Sequence, residues 1–287
     1  MRWRRHARFG VSQKHRAARS GDSHRTPDGS WLVLAFLVAG VLGSPPHREA
    51  RADRIKFRNP GFRDTLYPIQ VNNWWGHMNQ NGDLIVRPRF DWSGYSYEGL
   101  SRVVVDGKTG FIKGNGDWRI DPNFVYADRF SEGLAVVGQG NPKNMKYGFL
   151  DKHGRLRVPI RLEGALRFKD GLAAMQVGER CGFINKSGRV AIAPQFHRVR
   201  SFHDGLAMVQ HLGSKDRPGP LGYIDKRGQS VFRDDAQHLT DLGDFNETLA
   251  RVKVGDLWGY IHRNFRIRIK PQFENARDFT GGLAAVK

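Results

Sequence analysis

Cysteine and recognisable catalytic patterns are nearly absent from this sequence. Cys181 is the single cysteine among 287 residues, so no intrachain disulfide can form and no site with several cysteine ligands can hold a metal. The histidines show no HxH or HxxxH spacing, and no Ser-His-Asp or Cys-His arrangement with a supporting motif is visible. We therefore expect no cofactor, no metal site and no enzymatic activity, with Cys181 as a small buried apolar residue rather than a nucleophile.

The apolar run near the N-terminus is too short for an ordinary transmembrane helix. It spans the 13 residues Trp31–Gly43 and follows a basic stretch, a combination typical of a signal peptide. Ala50 and Ala52 stand in a small-x-small arrangement, which places cleavage after Ala52. Residues 1–52 are thus predicted to be a leader with a signal helix, and 53–65 a linker. The chain is expected to be periplasmic or secreted, the alternative being an anchor formed by an uncleaved N-terminal segment.

Basic residues outnumber acidic residues both in the N-terminal segment and in the rest of the chain. Residues 1–52 hold ten of the 47 Lys and Arg and three of the 28 Asp and Glu, which leaves 37 basic against 25 acidic residues, a net charge of +12. Such a surplus favours weak association with polyanions and says nothing about fold. An arginine-rich proteome explains the same surplus without any such function.

Glycine, in contrast, is abundant, and it marks an internal repeat. The stretch "WGHMNQNGDLIVRPRF" from Trp75 recurs as "GFINKSGRVAIAPQF" from Gly182, and each copy is followed by a second signature such as "HDGLAMV". In five of six units, 23 residues separate the first glycine from the glycine of the Gly-Leu signature. A register of this kind indicates tandem repeats. The first glycines of the six units are Gly76, Gly110, Gly148, Gly182, Gly222 and Gly259.

The repeat resembles that of the WG-repeat family (WG-containing, also called KWG). Units of that family read W-G-[YF]-I-[DN]-x-x-G, then Pro-x-Phe, then [SD]-G-L-A, and the resemblance covers about Leu66 to Lys287. The resemblance implies a bacterial β-rich repeat array with no assigned chemistry and no catalytic residues to carry over. The tryptophan is kept at Trp75 and Trp258, but the other units have Thr109, Tyr147, Cys181 and Leu221 in its place.

Each unit is predicted to contain three antiparallel strands. The "GLAxV" segment forms the first strand and "GFIN" the second. A glycine-bearing turn follows, and "RVAIAPQF" forms the third strand. Pro194 is expected to end the pairing, because it has no N–H to donate. Phe196 and Phe202 are expected to pack between neighbouring units. Because three strands fall short of the four in a propeller blade, residues 66–287 are predicted to be an all-β, open twisted array of about six units. A closed propeller-like ring is the alternative.

If the shared positions build the scaffold, function is expected where the units differ. Two junctions between units are longer than the others, "GQGNPKNMK" and "HLGSKDRPGP". Their cations are candidate contacts for an acidic partner, with a tolerated loop insertion as the simpler explanation. These candidate partner-binding residues are Lys143, Lys146, Lys215 and Arg217.

The fifth unit replaces its Pro-x-Phe by a longer acidic segment, "RDDAQHLTDLGDFNE". Its spacing matches no calcium loop, so a degenerate solvated repeat is the main interpretation, with a cation site or a hydrolase as remote alternatives. The sequence therefore predicts a non-catalytic exported protein that binds a protein or an envelope polymer. The alternative is a binder of polyanions such as nucleic acid or acidic polysaccharide. The acidic segment contains Asp234, Asp235, His238, Asp241, Asp244 and Glu247.

Overall fold

A computed structural model describes residues 66–214, 218–236 and 238–287. The predicted leader, the cleavage site and the linker lie outside these residues. The described part of the chain contains 23 strands in six antiparallel sheets and no helix. No helix among these residues is therefore long and apolar enough to cross a membrane.

Each sheet follows the chain order of its own strands, so the sheets succeed one another along the sequence. The first sheet has three strands and the others have four. The strands of the first three sheets are β1 Tyr67–Val71, β2 Trp74–Met78, β3 Leu84–Phe90; β4 Trp92–Tyr97, β5 Leu100–Val105, β6 Lys108–Lys113, β7 Trp118–Phe124; β8 Tyr126–Ala127, β9 Leu134–Gln139, β10 Lys146–Asp151 and β11 Leu156–Leu162. Those of the last three are β12 Gly164–Ala165, β13 Leu172–Val177, β14 Arg180–Asn185, β15 Val190–Phe196; β16 Arg198–Val199, β17 Leu206–Gln210, β18 Leu221–Asp225, β19 Ser230–Arg233; β20 Leu239–Leu242, β21 Leu249–Val254, β22 Leu257–His262 and β23 Ile267–Phe273.

The array is all-β and open, as predicted. The three predicted strands of the fourth unit correspond to β13, β14 and β15, and a short strand, β12, is added in front of them. Within the described residues, no strand of the first sheet pairs with a strand of the sixth. After β23 the chain folds back on itself through a bridge between Ala276 and Val286.

Pro194 does not end its strand, and that expectation is wrong. Strand β15 continues to Phe196, which lies opposite Cys181. Because β15 is the last strand of its sheet, it is an edge strand, and an edge position tolerates a residue without an N–H. The proline instead marks an irregularity in the register between β14 and β15.

The close approach of the third strand to the second explains the first glycine of each unit. A Cβ atom on Gly182 would lie 2.5 Å from the carbonyl oxygen of Ile192 and 2.7 Å from the nitrogen of Pro194. No side chain fits at such distances, so the bulged third strand can approach only a glycine. The same close approach recurs at Gly76, Gly110, Gly148, Gly222 and Gly259.

The core lies between successive sheets and is organised by a recurring aromatic pair. Phe183 of β14 packs edge-on against Phe202 of the next unit, with ring centroids 4.8 Å apart. Phe202 therefore does connect neighbouring units, as predicted, and such pairs contribute about 0.5–1.5 kcal/mol beyond the burial of their area. Equivalent pairs are Phe111 with Phe130, Phe149 with Phe168, Tyr223 with Phe245 and Tyr260 with Phe279.

Candidate functional site

Strand β4 is the element that departs most from the repeat. The third, fourth and fifth sheets begin with strands of two residues, β8, β12 and β16, whereas β4 has six. It is an edge strand, since the order of its sheet is β4-β5-β6-β7. Its sequence, "WSGYSY", places three aromatic residues on this edge.

The aromatic residues of β4 are exposed, unlike those that recur in every unit. Among the described residues, the large aromatic side chains classed as exposed are Trp74 at 50%, Trp92 at 36%, Tyr95 at 51% and Tyr97 at 37%. All four belong to the first two sheets, where Trp74 begins β2 and the others lie on β4. We call Trp92, Tyr95 and Tyr97 the aromatic edge.

A bulge in β4 determines which way these rings point. Trp92 lies opposite Val104, and Tyr97 lies opposite Leu100, with a shift of register between Ser93 and Ser96. Val104 and Leu100 are four residues apart on β5 and therefore share one face of the sheet. The extra residue in β4 thus brings Trp92 and Tyr97 to the same face, although they are five positions apart.

Two arginines cover one side of these rings. The guanidinium carbon of Arg102 lies 4.5 Å from the centroid of the Trp92 ring, and that of Arg129 lies 4.1 Å from the centroid of Tyr97. Arg102 also donates a hydrogen bond to the carbonyl oxygen of Ala127 at 2.5 Å. Burial lowers the pKa of Arg102, while the nearby charge of Asp128 opposes this shift. Cation–π contacts of this kind contribute about 0.5–2 kcal/mol each and fix the orientation of the rings.

Further contacts hold the remaining sides of the aromatic edge. The indole of Trp92 lies over Gly94, where a Cβ atom would meet a ring carbon at 2.7 Å. Tyr95 contacts Tyr67 of β1 edge-on, with centroids 6.4 Å apart and an interplanar angle of 87°. The three rings are therefore positioned by the protein itself and still present exposed surface to solvent.

The polar groups around the aromatic edge carry both signs of charge. Asp91 Oδ2 accepts a hydrogen bond from the backbone N–H of Asp106 at 2.7 Å, and both residues are exposed. On the other side, Glu98 lies 3.0 Å from Lys152 Nζ. Burial raises the pKa of Glu98, but the hydrogen bonds from Lys152 and from the backbone N–H of Gly133 outweigh it and lower the pKa overall. Glu98 is thus held as a carboxylate beside Tyr97.

The structure describes two of the four predicted partner-binding cations. Lys143 is exposed in the β9–β10 connection, and Lys146 at the start of β10 forms an exposed ion pair with Glu163 at 3.2 Å. Lys215 and Arg217 lie outside the described residues. The two long connections, β9–β10 and β17–β18, join the second and third strands of their sheets, so they occupy equivalent positions in the repeat.

The acidic segment of the fifth unit does not form one cluster. Asp241 pairs with Arg200 at 3.3 Å, Asp244 lies 3.7 Å from His203, and Asp235 pairs with Arg233 at 2.7 Å. Burial raises the pKa of Asp244, and the charges of Arg200 and His203 oppose this shift. Asp234 accepts a hydrogen bond from the N–H of Leu239, Glu247 accepts from Gly281 and Gly282, and His238 is exposed. Within the described residues, no group of three or more His, Cys, Asp or Glu is arranged to hold a metal ion.

Cys181 is buried, with 2% of its surface exposed. Burial raises the pKa of its thiol to about 11, so the thiolate that a nucleophile requires is scarce near neutral pH. Its Sγ lies 3.6 Å from the carbonyl oxygen of His197. This environment agrees with the interpretation of Cys181 as a packing residue.

The chain belongs to the WG-repeat family: the family described as "WG containing repeat" matches residues 75–108, 110–141, 147–181, 182–215 and 258–287. The fifth unit, which begins at Gly222 and contains the acidic segment, falls between the last two matches. Comparison with curated proteins gives no match.

Two solved structures align with most of this chain. A structure described as the eukaryotic initiation factor aligns with a TM-score of 0.52 and 12% identity over 72% of this chain and 62% of that chain. This chain thus spans less than two thirds of that protein, and the likeness concerns the fold alone. BamB from Moraxella catarrhalis aligns with a TM-score of 0.44 and 11% identity over 77% of this chain and 76% of that chain.

The aromatic edge was not predicted from the sequence, which directed attention to the long connections instead. One signal was available: "WSGYSY" places aromatic residues at three of six positions just before a Gly-Leu signature. No other unit does so.

Proposed function

We propose that this WG-repeat protein is a non-catalytic binding protein that uses the aromatic edge as its contact surface for a protein or an envelope polymer. The observation that carries this proposal is the exposure of Trp92, Tyr95 and Tyr97 in a fold that buries its recurring aromatic residues. Exposed aromatic residues gathered on one surface are typical of interaction sites.

The way the rings are held supports the same proposal. The rings are already held by contacts with Arg102, Arg129, Gly94 and Tyr67. Binding of a ligand would therefore cost little conformational entropy of these side chains. Side chains that are ordered before binding lower the entropic cost of association. A scaffold role alone does not require such an arrangement at a solvent-exposed edge.

The test compares retention of immobilised protein variants on envelope fractions of a bacterium that encodes the chain. Residues 53–287 are compared with a variant in which Trp92, Tyr95 and Tyr97 are replaced by alanine. A matched control replaces the exposed aliphatic residues Leu156, Val190 and Leu257. We expect the aromatic variant to lose at least tenfold in retention while the control keeps it. Equal retention by all three proteins would contradict the proposal.

Export is part of the proposal and is supported by the basic leader, the apolar run Trp31–Gly43 and the small residues Ala50 and Ala52. Expression of the full chain with a C-terminal tag, followed by fractionation, tests it. A periplasmic or secreted product with an N-terminus after Ala52 is expected. A full-length product in the membrane fraction would favour the uncleaved anchor.

Polyanion binding is the second candidate function, and one feature of the sixth sheet favours it. Strand β23 is an edge strand. Arg268 and Lys270 on this strand are exposed, and so is Arg266 immediately before it. Cations two residues apart along a strand point to the same face.

Salt dependence distinguishes this second function from the first. Binding to heparin or to single-stranded DNA through several cations weakens steeply between about 50 and 200 mM salt. Replacing Arg266, Arg268 and Lys270 by glutamine is expected to reduce the slope, with Arg227 and Lys226 of the fifth sheet's hairpin as the matched control pair. Binding that does not change with salt would exclude this function.

A further inference from the structure

We infer that the ligand of the aromatic edge is an uncharged glycan. The inference rests on the function proposed above and concerns the same surface, Trp92, Tyr95 and Tyr97. Three observations carry it: the presentation of the rings, the balance of charge around them, and the length of the strand that bears them.

The first observation is the presentation of the rings. A pyranose ring has a flat face of C–H groups and a rim of hydroxyl groups. An aromatic ring that is held from one side and exposed on the other can bury that C–H face against its π-system while the hydroxyls stay solvated. Tyr97 is covered by Arg129 and keeps 37% of its surface exposed. Trp92 is contacted by both Arg102 and Gly94, and 36% of its surface stays exposed.

The second observation is that charge around the aromatic edge is mixed. Asp91 and Glu98 are exposed carboxylates adjacent in sequence to Trp92 and Tyr97, and Arg102, Arg129 and Lys152 are the nearby cations. A polyanion such as nucleic acid or a uronate polymer would bring its own negative charges close to these carboxylates, which is unfavourable. Neutral hydroxyl groups can donate to the carboxylates and accept from the cations.

The third observation is the length of β4. Because of the bulge, Trp92 and Tyr97 lie opposite residues that are four apart on β5; at a rise of about 3.3 Å per residue they are separated by about 13 Å along the edge. Tyr95, which lies between them in the sequence, contacts Tyr67 of the first sheet, whereas Trp92 and Tyr97 are covered by arginines of the second and third sheets. A site of this length suits several linked sugar residues better than a monosaccharide.

The test is affinity gel electrophoresis of residues 53–287 in native gels that contain a stated polymer. The probes are hydroxyethyl cellulose and glucomannan as uncharged glycans, polygalacturonate as an anionic glycan, and oligo(dT) as a nucleic acid. We expect retardation by at least one uncharged glycan, unchanged between 50 and 300 mM salt. Trp92→Ala and Tyr97→Ala are expected to weaken this retardation at least tenfold. Leu156→Ala is expected to leave it unchanged.

A folding control separates loss of the site from loss of the fold. Trp92→Phe keeps an aromatic ring over Gly94 and should retain most of the retardation, and thermal unfolding of each variant shows whether the array is intact. The inference is overturned if neither uncharged glycan retards the wild-type protein, or if Trp92→Ala, folded, is retarded as strongly as the wild type. Retardation by oligo(dT) or polygalacturonate alone, abolished by salt, also overturns it in favour of polyanion binding.

The two experiments distinguish failure of the glycan inference from failure of the proposed binding function. If envelope retention depends on the aromatic edge but no uncharged glycan binds, the binding function stands and the glycan inference fails. If envelope retention does not depend on the aromatic edge either, both fail together.

Discussion

The carboxylate of Glu132 accepts a hydrogen bond from the backbone N–H of Gly171, 3.0 Å away in the following sheet. The same carboxylate lies 3.0 Å from Lys186 Nζ, which also belongs to that following sheet. One acidic turn residue thus connects two neighbouring sheets by a hydrogen bond and an ion pair. Equivalent hydrogen bonds join Glu98 to Gly133, Asp170 to Gly205 and Glu247 to Gly282.

Glu132→Ala is expected to destabilise the array, because it removes the acceptor of a charge-assisted hydrogen bond between sheets. The expected loss is about 1 kcal/mol in the free energy of unfolding, since the carboxylate is partly exposed and its ion pair contributes little. Urea denaturation measures it. Glu179→Ala, at an exposed turn, is the matched control and should leave the midpoint unchanged; a similar shift for both variants would refute the connection.

Gly182→Ala is expected to cost about 1–3 kcal/mol, because the new methyl group overlaps the backbone of the adjacent strand. Its Cβ atom would lie 2.5 Å from the oxygen of Ile192. Gly114 is the matched control, since a Cβ atom there would meet nothing within 4 Å and its φ is not positive. Thermal unfolding of both variants checks the expectation, and an unchanged midpoint for Gly182→Ala would contradict it.

Cys181 is expected to resist alkylation in the folded protein. Burial raises the pKa of its thiol to about 11, so the thiolate fraction at pH 8 is small and the group is also inaccessible. Labelling by iodoacetamide, followed by mass spectrometry, should be slow in buffer and fast in 6 M guanidinium. Rapid labelling of the folded chain at pH 8 would show that the thiol is reactive after all.

His77 is expected to make stability depend on pH. It occupies the position of the recurring Phe or Tyr, is fully buried, and has its Nε2 atom 2.9 Å from Ser93 Oγ. Burial lowers its pKa below the ordinary value of 6.5, although a hydrogen bond with Gly94 opposes this shift. Below about pH 6.5 the unfolded chain therefore takes up a proton that the folded chain does not, and stability falls as the pH decreases.

The variant His77→Phe is expected to reduce this loss of stability between pH 6.5 and 5. The measurement is the midpoint of urea unfolding at each pH. His197→Gln, at an exposed histidine, is the control and should keep the wild-type dependence. If His77→Phe and the wild type lose stability in parallel, His77 is not the titrating group.

Most of the fold could be predicted from the sequence because its determinants are local and repeated. Gly182 and the turn that follows it define a hairpin, and the fixed distance to the Gly-Leu signature defines the unit. Phe202 was expected to connect units, and it packs on Phe183 of the preceding sheet. The continuation of β15 past Pro194 could not be predicted, because the position of this strand at the edge of its sheet depends on the order of all four strands.

The aromatic edge could not be predicted from the repeat register. The segment that contains Trp92 and Tyr97 keeps the standard distance of 23 residues between Gly76 and Gly99, so a search for length differences passes over it. A tryptophan in a repeat is usually a packing residue, and only the three-dimensional position of β4 decides between packing and exposure. Lys143 was predicted as a contact because the connection that contains it is longer than the equivalent connections in other units.

The carboxylate connections between sheets give the array a mechanical character. When the two ends of the described chain are pulled apart, the load passes through Glu98, Glu132 and Asp170 in series, each bonded to a glycine N–H of the following turn. Such an arrangement yields at its weakest connection first and lengthens in discrete steps of about one repeat. The fifth sheet lacks the equivalent bond, because Asp204 engages Arg263 instead of a turn N–H. The fifth and sixth sheets are joined through arginines instead, Arg263 with Asp204 and Arg200 with Asp241, so under force this junction should weaken with salt more than the junctions made by a turn N–H.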